Sequence, residues 1–395
     1  MRKLTFLLAF AALALGACSS EEVVRDATAS DQTIQEIGMM PEVGKTTRGA
    51  VVTTSNISSF VAYLDGTFRT SGTVDAAATT ATVYANKTGS DWKIYQELGH
   101  TTELKYYWGE DADNVKFLAW TGNDGGTLTT NTMSFTVDDT PADQTDFAVA
   151  YNEGVRTDFT GGKVPLHFRH ALSQVCFKAQ YNYTAPDADV VGNEDVTIKV
   201  KGVKIFNLNN TGTLTMPTTA TTDGGTDIAN TNWSSVSGTQ SYQIDLASEV
   251  TLNATAQVID NTSTDGPLLL MPQTTAKATS FTSVPATGAY IGVLVNITKG
   301  TPVTAVYPKD ATAAIPGYAY AVIPVDIAWE AGKKYTYIMK FTNSSAGKVD
   351  PGTPVAQIPD GKSAGDPIIK GVIPITFEVT VEDWDDTAGD TDINM

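Results

Sequence analysis

Apolar and polar residues alternate with a period of two in many short runs of the chain beyond Gly49. This period is typical of β-strands that bury one face and leave the other face wetter. The clearest run is Ile373, Ile375, Phe377, Val379 and Val381. Further runs are Leu104, Tyr106 and Trp108; Met133, Phe135 and Val137; Val164, Leu166 and Phe168; Val175, Phe177 and Ala179; Val196, Ile198 and Val200; Ile291, Val293, Val295 and Ile297; and Tyr335, Tyr337, Met339 and Phe341.

Two shifts of this alternation predict irregular points in the sheets. The apolar positions are even in the run that ends at Phe168 and odd in the run that begins at Val175, so we expect a bend or bulge between them. A second shift occurs around Gly202, where a glycine inside a strand pattern indicates a β-bulge.

Turn signals rich in Gly, Asp and Asn separate the runs, and no long amphipathic helix is evident. The pattern favours an all-β fold of antiparallel β-sandwiches over a parallel α/β sheet. The length of 395 residues suits two such domains, predicted at residues 49–160 and 161–395. An irregular stretch, residues 343–366, separates the terminal strand at 372–384 from the rest and would allow it to pair elsewhere.

The N-terminus has the features of an export signal. Arg2 and Lys3 precede an apolar run at residues 4–15, too short for a membrane span, which leads into Gly16, Ala17 and Cys18. We predict a signal peptide at 1–17 and lipidation of Cys18, whose acyl chains (palmitate, for example) would hold the protein to a membrane. An ordinary signal peptide with a chance cysteine is the alternative.

Residues 18–48 are polar and acidic and are predicted to form a tether. A short apolar patch at Ile34, Ile37, Met39 and Met40 has the composition of a strand that can pair. Among the small residues that follow, the bond between Arg48 and Gly49 is a candidate site for a trypsin-like protease.

The charge and the residue types exclude several functions. The chain has 26 basic and 44 acidic residues, a net charge of −18, which disfavours binding to nucleic acid. With Cys18 lipidated, Cys176 has no partner for a disulfide and is expected to be a buried apolar residue.

Little in the chain resembles a catalytic centre. His167 and His170 are three residues apart, which places them on opposite faces of a strand, so we expect no metal site. We also expect no cofactor and no enzymatic activity. A hydrolase that depends on two carboxylates stays open as a minor alternative.

Several segments, taken in order, resemble one known family. They are residues 146–150, 164–175, 268–273 and 329–337, a terminal strand that closes on Trp384, and the lipobox and Arg48 described above. This set is similar to the fimbrillin family of the Mfa-like type, and residues 168–175 are its most specific part.

The resemblance implies two transthyretin-like β-sandwich domains and a role in type V pili. Subunits of this family are exported as lipoproteins to the outer membrane and are found at the cell surface. An Arg-specific protease, here at Arg48, removes an N-terminal segment and opens a groove that a strand of a neighbouring subunit fills by β-strand addition. The partners implied are other fimbrillin subunits, of the same or a different kind.

Some alternatives stay open at this level. The strand of Ile373, Ile375, Phe377, Val379 and Val381 is the candidate donor, yet it could equally complete its own domain. The subunit could form stalk, tip or anchor. The alternative function is a surface lipoprotein that binds a glycan or protein of the host or of another bacterium without polymerising; Trp92, Trp108 and Trp233 are candidates for glycan contact, although core positions suit them better.

Overall fold

The computed structural model describes residues 34–43, 57–70, 77–110, 112–183, 195–220, 228–260, 267–301, 303–309, 317–369 and 375–384. In these residues the chain forms 25 strands and five short 3-10 turns, and no α-helix is present. The turns are Pro141–Asp143, Arg156–Asp158, Thr160–Gly162, Asn230–Asn232 and Val355–Gln357. The all-β, sandwich-like class expected from the alternation is confirmed. No helix in this part of the chain has the length and apolarity that a membrane crossing requires.

The first ten strands contribute mainly to one large sheet. They are β1 (Gly38–Val43), β2 (Ser59–Arg69), β3 (Ala77–Thr88), β4 (Asp91–Tyr95), β5 (Glu103–Leu104), β6 (Tyr107–Trp108), β7 (Val115–Thr121), β8 (Thr132–Thr136), β9 (Ala148–Gly154) and β10 (Lys163–His170). Nine of them pair in the order β1-β10-β9-β7-β2-β3-β4-β5, with β6 also paired to β2.

The later strands form the second half of the molecule. They are β11 (Ser173–Asn182), β12 (Val196–Leu208), β13 (Thr211–Thr215), β14 (Trp233–Ser237), β15 (Gln240–Thr251), β16 (Gln257–Val258), β17 (Leu268–Leu270), β18 (Thr274–Thr275), β19 (Tyr290–Lys299), β20 (Thr304–Tyr307), β21 (Ala319–Pro324), β22 (Ile327–Ala328), β23 (Lys333–Thr342), β24 (Lys348–Val349) and β25 (Thr376–Asp383). A five-stranded sheet has the order β16-β11-β23-β25, with β17 also on β11. A six-stranded sheet has the order β15-β12-β19-β21-β24, with β20 also on β19.

Two apolar cores correspond to these sheets. In the first core, Val164, Leu166 and Phe168 of β10 pack with buried side chains of β2, β3 and β7. In the second and larger core, inward residues of β11, β12, β19 and β23 meet. Strands such as β10 and β12 bury alternate residues, as the period of two predicts, whereas β7 and β9 bury consecutive residues.

The irregular points lie where the alternation shifts. β10 ends at His170 and β11 begins at Ser173, so the first shift is a change of strand and sheet. The second shift is confirmed as a register shift of β12 between Val200 and Gly202 against both of its neighbours.

Two features cross the boundary predicted between residues 160 and 161. β10 follows that boundary, yet its inward residues belong to the first core. β8 precedes it and pairs with β13 in a three-stranded sheet of order β14-β13-β8. The second core also includes buried side chains of the first half, among them Val61, Trp120 and Phe147. The domain boundaries stay a prediction, as does the transthyretin-like arrangement.

The irregular stretch before the terminal strand is held against the second half. It contains β24, which pairs with β21, and it leads to the buried side chains Ile368 and Ile369. The terminal strand β25 therefore leaves a fixed point of the fold at residue 369.

Candidate functional site

The predicted processing residues lie outside the described residues. These are the signal peptide at 1–17, Cys18, Arg48 and Gly49, and the same holds for Ile373 at the start of the candidate donor strand. Ile375, Phe377, Val379 and Val381 are described and lie in or next to β25. The candidate site therefore consists of two strands near the two ends of the chain, β1 and β25.

β1 is the strand expected from the apolar patch at residues 34–40. It pairs in parallel with β10 over six residues, from Gly38 opposite Lys163 to Val43 opposite Phe168. Its side chains alternate, with Met39 buried at 4% exposure and Met40 exposed at 40%. This alternation places Ile37 and Met39 in the first core beside Leu166 of β10.

The residues just before β1 close the first core on its other side. The Ile37 N–H donates to the Tyr106 carbonyl oxygen at 2.8 Å, and the Trp108 N–H donates to the Gln35 carbonyl oxygen at 3.0 Å. Gly162 has a φ of +68°, and a Cβ there would lie 2.8 Å from the Glu36 carbonyl oxygen, so only glycine permits this close approach. Residues 34–43 thus lie between β10 and the backbone at 106–108 and hold the two together.

Packing beside β1 is incomplete. A cavity of ≈ 60 Å³ is lined by residues that include Ile37, Met39, Trp92, Ile94 and Leu104. A void lowers the dispersion contacts that its lining residues make, so β1 is less firmly packed on this side than on β10.

β25 forms the edge of the five-stranded sheet. It pairs antiparallel with β23 over eight residues, from Lys333 opposite Asp383 to Lys340 opposite Thr376. Cross-strand ion pairs join Lys340 to Glu378 at 2.8 Å, Lys334 to Glu382 at 4.0 Å, and Lys333 to Asp383. Such exposed pairs contribute about 0–1 kcal/mol each, so they set the register more than they hold the strand.

The apolar face of β25 is only partly covered. Ile375 is buried, Phe377 and Val379 are half-buried, and Val381 is 55% exposed. In this structure Ile375, Phe377, Val379 and Val381 thus pack against their own half of the molecule. Apart from Ile375, their side chains are less buried than the inward residues of an inner strand such as β12.

An aromatic contact anchors the end of β25. The Trp384 ring stacks on the His170 ring with centroids 3.9 Å apart and an interplanar angle of 4°. His170 Nδ1 lies 2.8 Å from Oδ2 of the buried Asp146, and the Trp384 N–H donates to the Gly332 carbonyl oxygen at 2.8 Å. The last residue of β10 therefore contacts the residue that follows β25, which links the large first sheet to the edge of the five-stranded sheet.

The sequence alone did not predict the contact between His170 and Trp384. The only signal was the position of His170 and Trp384, since each ends an alternating run. Their contact joins residues more than two hundred positions apart, which no local pattern reports.

The remaining candidates are where the residue patterns placed them. His167 is half-exposed and His170 is buried, so the two lie on opposite faces of β10. Trp108 and Trp233 are buried, and Trp92 is half-buried against Phe60 at 5.1 Å. The described residues contain no group of three or more His, Cys, Asp or Glu arranged to hold a metal ion.

Comparison with known proteins identifies the family. The model of fimbrillin-like proteins matches residues 70–384. A fimbrial protein from Bacteroides vulgatus is 15% identical, and the match covers 89% of this chain and 99% of that chain with a TM-score of 0.46. A tip fimbrial protein from Porphyromonas gingivalis with a C-terminal truncation is 12% identical, with 87% and 99% covered and a TM-score of 0.27. No curated protein sequence matches. Because the family model spans most of its length, the chain belongs to the fimbrillin-like family.

Proposed function

We propose that the protein is a structural or adhesive, non-enzymatic subunit of a type V pilus. It is exported as a lipoprotein, held at the outer membrane by acyl chains on Cys18, and displayed at the cell surface. The family match supports the pilus, and the residues up to Cys18 support the lipid anchor.

The position of β1 carries the proposal for assembly. β1 ends at Val43, five residues before Arg48, so a cut after Arg48 separates it from the body of the chain. β1 is then held by non-covalent contacts, which include its pairing with β10 and the hydrogen bonds of residues 35–37 with residues 106–108. When it leaves, an apolar groove opens over Leu166 and Phe168.

A strand from another subunit fills this groove. Strand addition supplies main-chain hydrogen bonds along the free edge and inserts alternate apolar side chains between those of the core. Full burial of a Val or Phe side chain contributes about 1.5–3 kcal/mol relative to exposure. Filling the groove therefore stabilises the contact between subunits.

β25 is the donor that the structure favours. It is an edge strand, and its apolar face gains burial if it moves from β23 to the groove. Residues 370–375, which lead from Ile369 to β25, span up to about 20 Å when extended, at about 3.3 Å per residue, and would carry β25 toward a neighbouring subunit. The proposed partners are other fimbrillin subunits, together with an Arg-specific protease.

Limited proteolysis tests this assembly. Purified full chain is treated with trypsin at low dose, the cut site is found by mass spectrometry, and oligomers are counted as ladders on SDS gels without boiling. We expect a cut after Arg48 and a ladder. The Arg48→Ala variant should stay a folded monomer, whereas Lys45→Ala, which removes a neighbouring basic residue, should still assemble. A chain that is cut after Arg48 and never forms oligomers would contradict the proposal.

A further inference from the structure

We infer that the groove left by β1 accepts β25 of a second copy of this chain antiparallel to β10, with Val381 opposite Val164. This inference rests on the proposed strand exchange and specifies the partner strand, its direction and its register. It is based on the complementary charges that β10 and β25 have on their outward faces.

β10 presents an apolar inner face and a basic outer face. Val164, Leu166 and Phe168 are at most 1% exposed. The alternate residues Lys163, His167 and Arg169 are exposed or half-exposed on the other face. A strand that pairs with β10 in the place of β1 must therefore bury apolar residues on one face and meets basic residues on the other.

β25 has the complementary pattern. Its inward residues are Phe377, Val379 and Val381, and its outward residues are Thr376, Glu378, Thr380 and Glu382. In its own domain the two acidic residues already lie beside Lys340 and Lys334 of β23. In its own domain β25 thus pairs with the basic strand β23. Its acidic residues are also suited to pair with the basic face of β10.

The spacing of the charges determines one register. Lys163 and His167 are four residues apart, as are Glu378 and Glu382. If β25 runs antiparallel with Val381 opposite Val164, Val379 falls opposite Leu166 and Phe377 opposite Phe168. In the same register Glu382 falls opposite Lys163, and Glu378 falls opposite His167.

A parallel strand cannot place Glu378 and Glu382 opposite Lys163 and His167 and also keep the inner face apolar. The parallel register that places Glu378 opposite Lys163 and Glu382 opposite His167 also places Asp383 opposite Phe168, on the inner face. A carboxylate buried there without a partner is costly, so this register is disfavoured. In its own domain β25 is also antiparallel to its neighbour.

The pairing of β1 shows what the donor retains and what it adds. β1 places Glu42 in register with His167 and Gly38 in register with Lys163. The donor keeps an acidic residue opposite His167 and adds one opposite Lys163. The added charge pair favours the donor over β1 at this edge.

Cysteine cross-linking reads the register directly. Full-length Lys163→Cys chain is mixed with either Glu382→Cys or Glu378→Cys chain, cut with trypsin, and oxidised mildly. Opposed residues of an antiparallel pair have Cα atoms about 5 Å apart, within the range of a disulfide. We expect disulfide-linked dimers with Glu382→Cys and none with Glu378→Cys, which only the parallel register brings to residue 163.

Charge reversal gives a second readout that needs no disulfide. Lys163→Glu should slow ladder formation about threefold, and the double variant Lys163→Glu/Glu382→Lys should restore it. Lys116→Glu makes the same change at an exposed position of β7 and should have no effect.

The outcomes separate this inference from the proposed function. If ladders form and the cross-link appears with Glu378→Cys, the proposed register is wrong but strand exchange is still supported. The same conclusion follows if Lys163→Glu does not slow ladder formation. Cut wild-type chains that form no ladder overturn strand exchange and the register with it. Cross-linking at Glu382→Cys together with rescue by the double variant supports both.

Discussion

Trp384 joins the end of β25 to the end of β10. It is 8% exposed, its ring lies on His170, and its N–H is bonded to Gly332. Residues with this burial at the end of a strand limit how easily the strand frays. Trp384 and Ile375 therefore hold the two ends of β25, in addition to its eight-residue pairing with β23.

Replacing Trp384 by Ala should release β25. We expect the free energy of unfolding in urea to fall by about 3 kcal/mol because a buried ring and its stack are lost. Trp384→Phe keeps a ring on His170 and should cost about 1 kcal/mol. Hydrogen exchange of the β25 amides should accelerate in the Ala variant, and unchanged exchange there would show that Trp384 does not hold the strand.

Cys176 is predicted to be unreactive in the folded chain. Burial raises the pKa of its thiol from 9.0 to about 12. At pH 8 this leaves about a thousandfold less thiolate than an ordinary cysteine has. The neutral thiol's contribution to the free energy of unfolding is complete below about pH 9 and is lost as the pH rises toward 12.

Ellman's reagent at pH 8 measures this reactivity. A Cys18→Ser variant leaves Cys176 as the one thiol in the chain. We expect negligible reaction in buffer and a full equivalent after unfolding in urea. Rapid labelling of the folded protein would show that the thiol is accessible.

At the scale of elements, β1 and β25 are two edge strands with different burial. β1 is bound on both sides, by β10 and by the backbone at 106–108, whereas β25 pairs with β23 alone among the described residues. The strand that the proposed cut removes is thus the more enclosed one. Ile37 and Met39 at β1 are buried, whereas Val381 of β25 is 55% exposed.

Adjacent methionines of β1 give a matched test of its inward face. Met39→Asp places a carboxylate in the first core and should release β1, with a loss of about 3 kcal/mol in the free energy of unfolding. Met40→Asp, at an exposed position of the same strand, should change it by less than about 0.5 kcal/mol. Hydrogen exchange at residues 38–43 measures the release, and equal effects of the two changes would contradict this orientation of β1.

At the scale of the whole molecule, a shared sheet joins the two halves. β8 from the first half pairs with β13, and Phe135 of β8 stacks on Phe147 at 4.8 Å. Trp233 of β14 packs on the same Phe147 and donates its indole N–H to the Ala171 carbonyl oxygen at 2.8 Å. Phe135, Phe147 and Trp233 all belong to the second core, so the first half supplies part of that core.

The halves should therefore unfold together. We expect one transition in urea, with the same midpoint by tryptophan fluorescence and by far-ultraviolet circular dichroism. Tryptophans lie in both cores, Trp108 in the first and Trp329 in the second, so fluorescence reports on each. Two separate midpoints would show that the halves are independent domains.

The charge belongs to the body of the molecule. Six acidic and five basic residues precede Gly49, so residues 49–395 carry −17 of the total of −18. This repulsion keeps subunits soluble, and it makes the complementary faces of β10 and β25 the exception on an acidic protein.

The sequence by itself determined the all-β class, most strands and the position of the bulge at Gly202, because alternation and turn residues are local properties of the chain. It also predicts an export signal and a cut at Arg48, because these depend on short motifs. Only the tertiary structure decided that β1 is parallel to β10, that β25 pairs with β23 of its own domain, and that Trp384 rests on His170. These contacts join residues far apart in the chain, and apolar strands are interchangeable until packing and charge select among them.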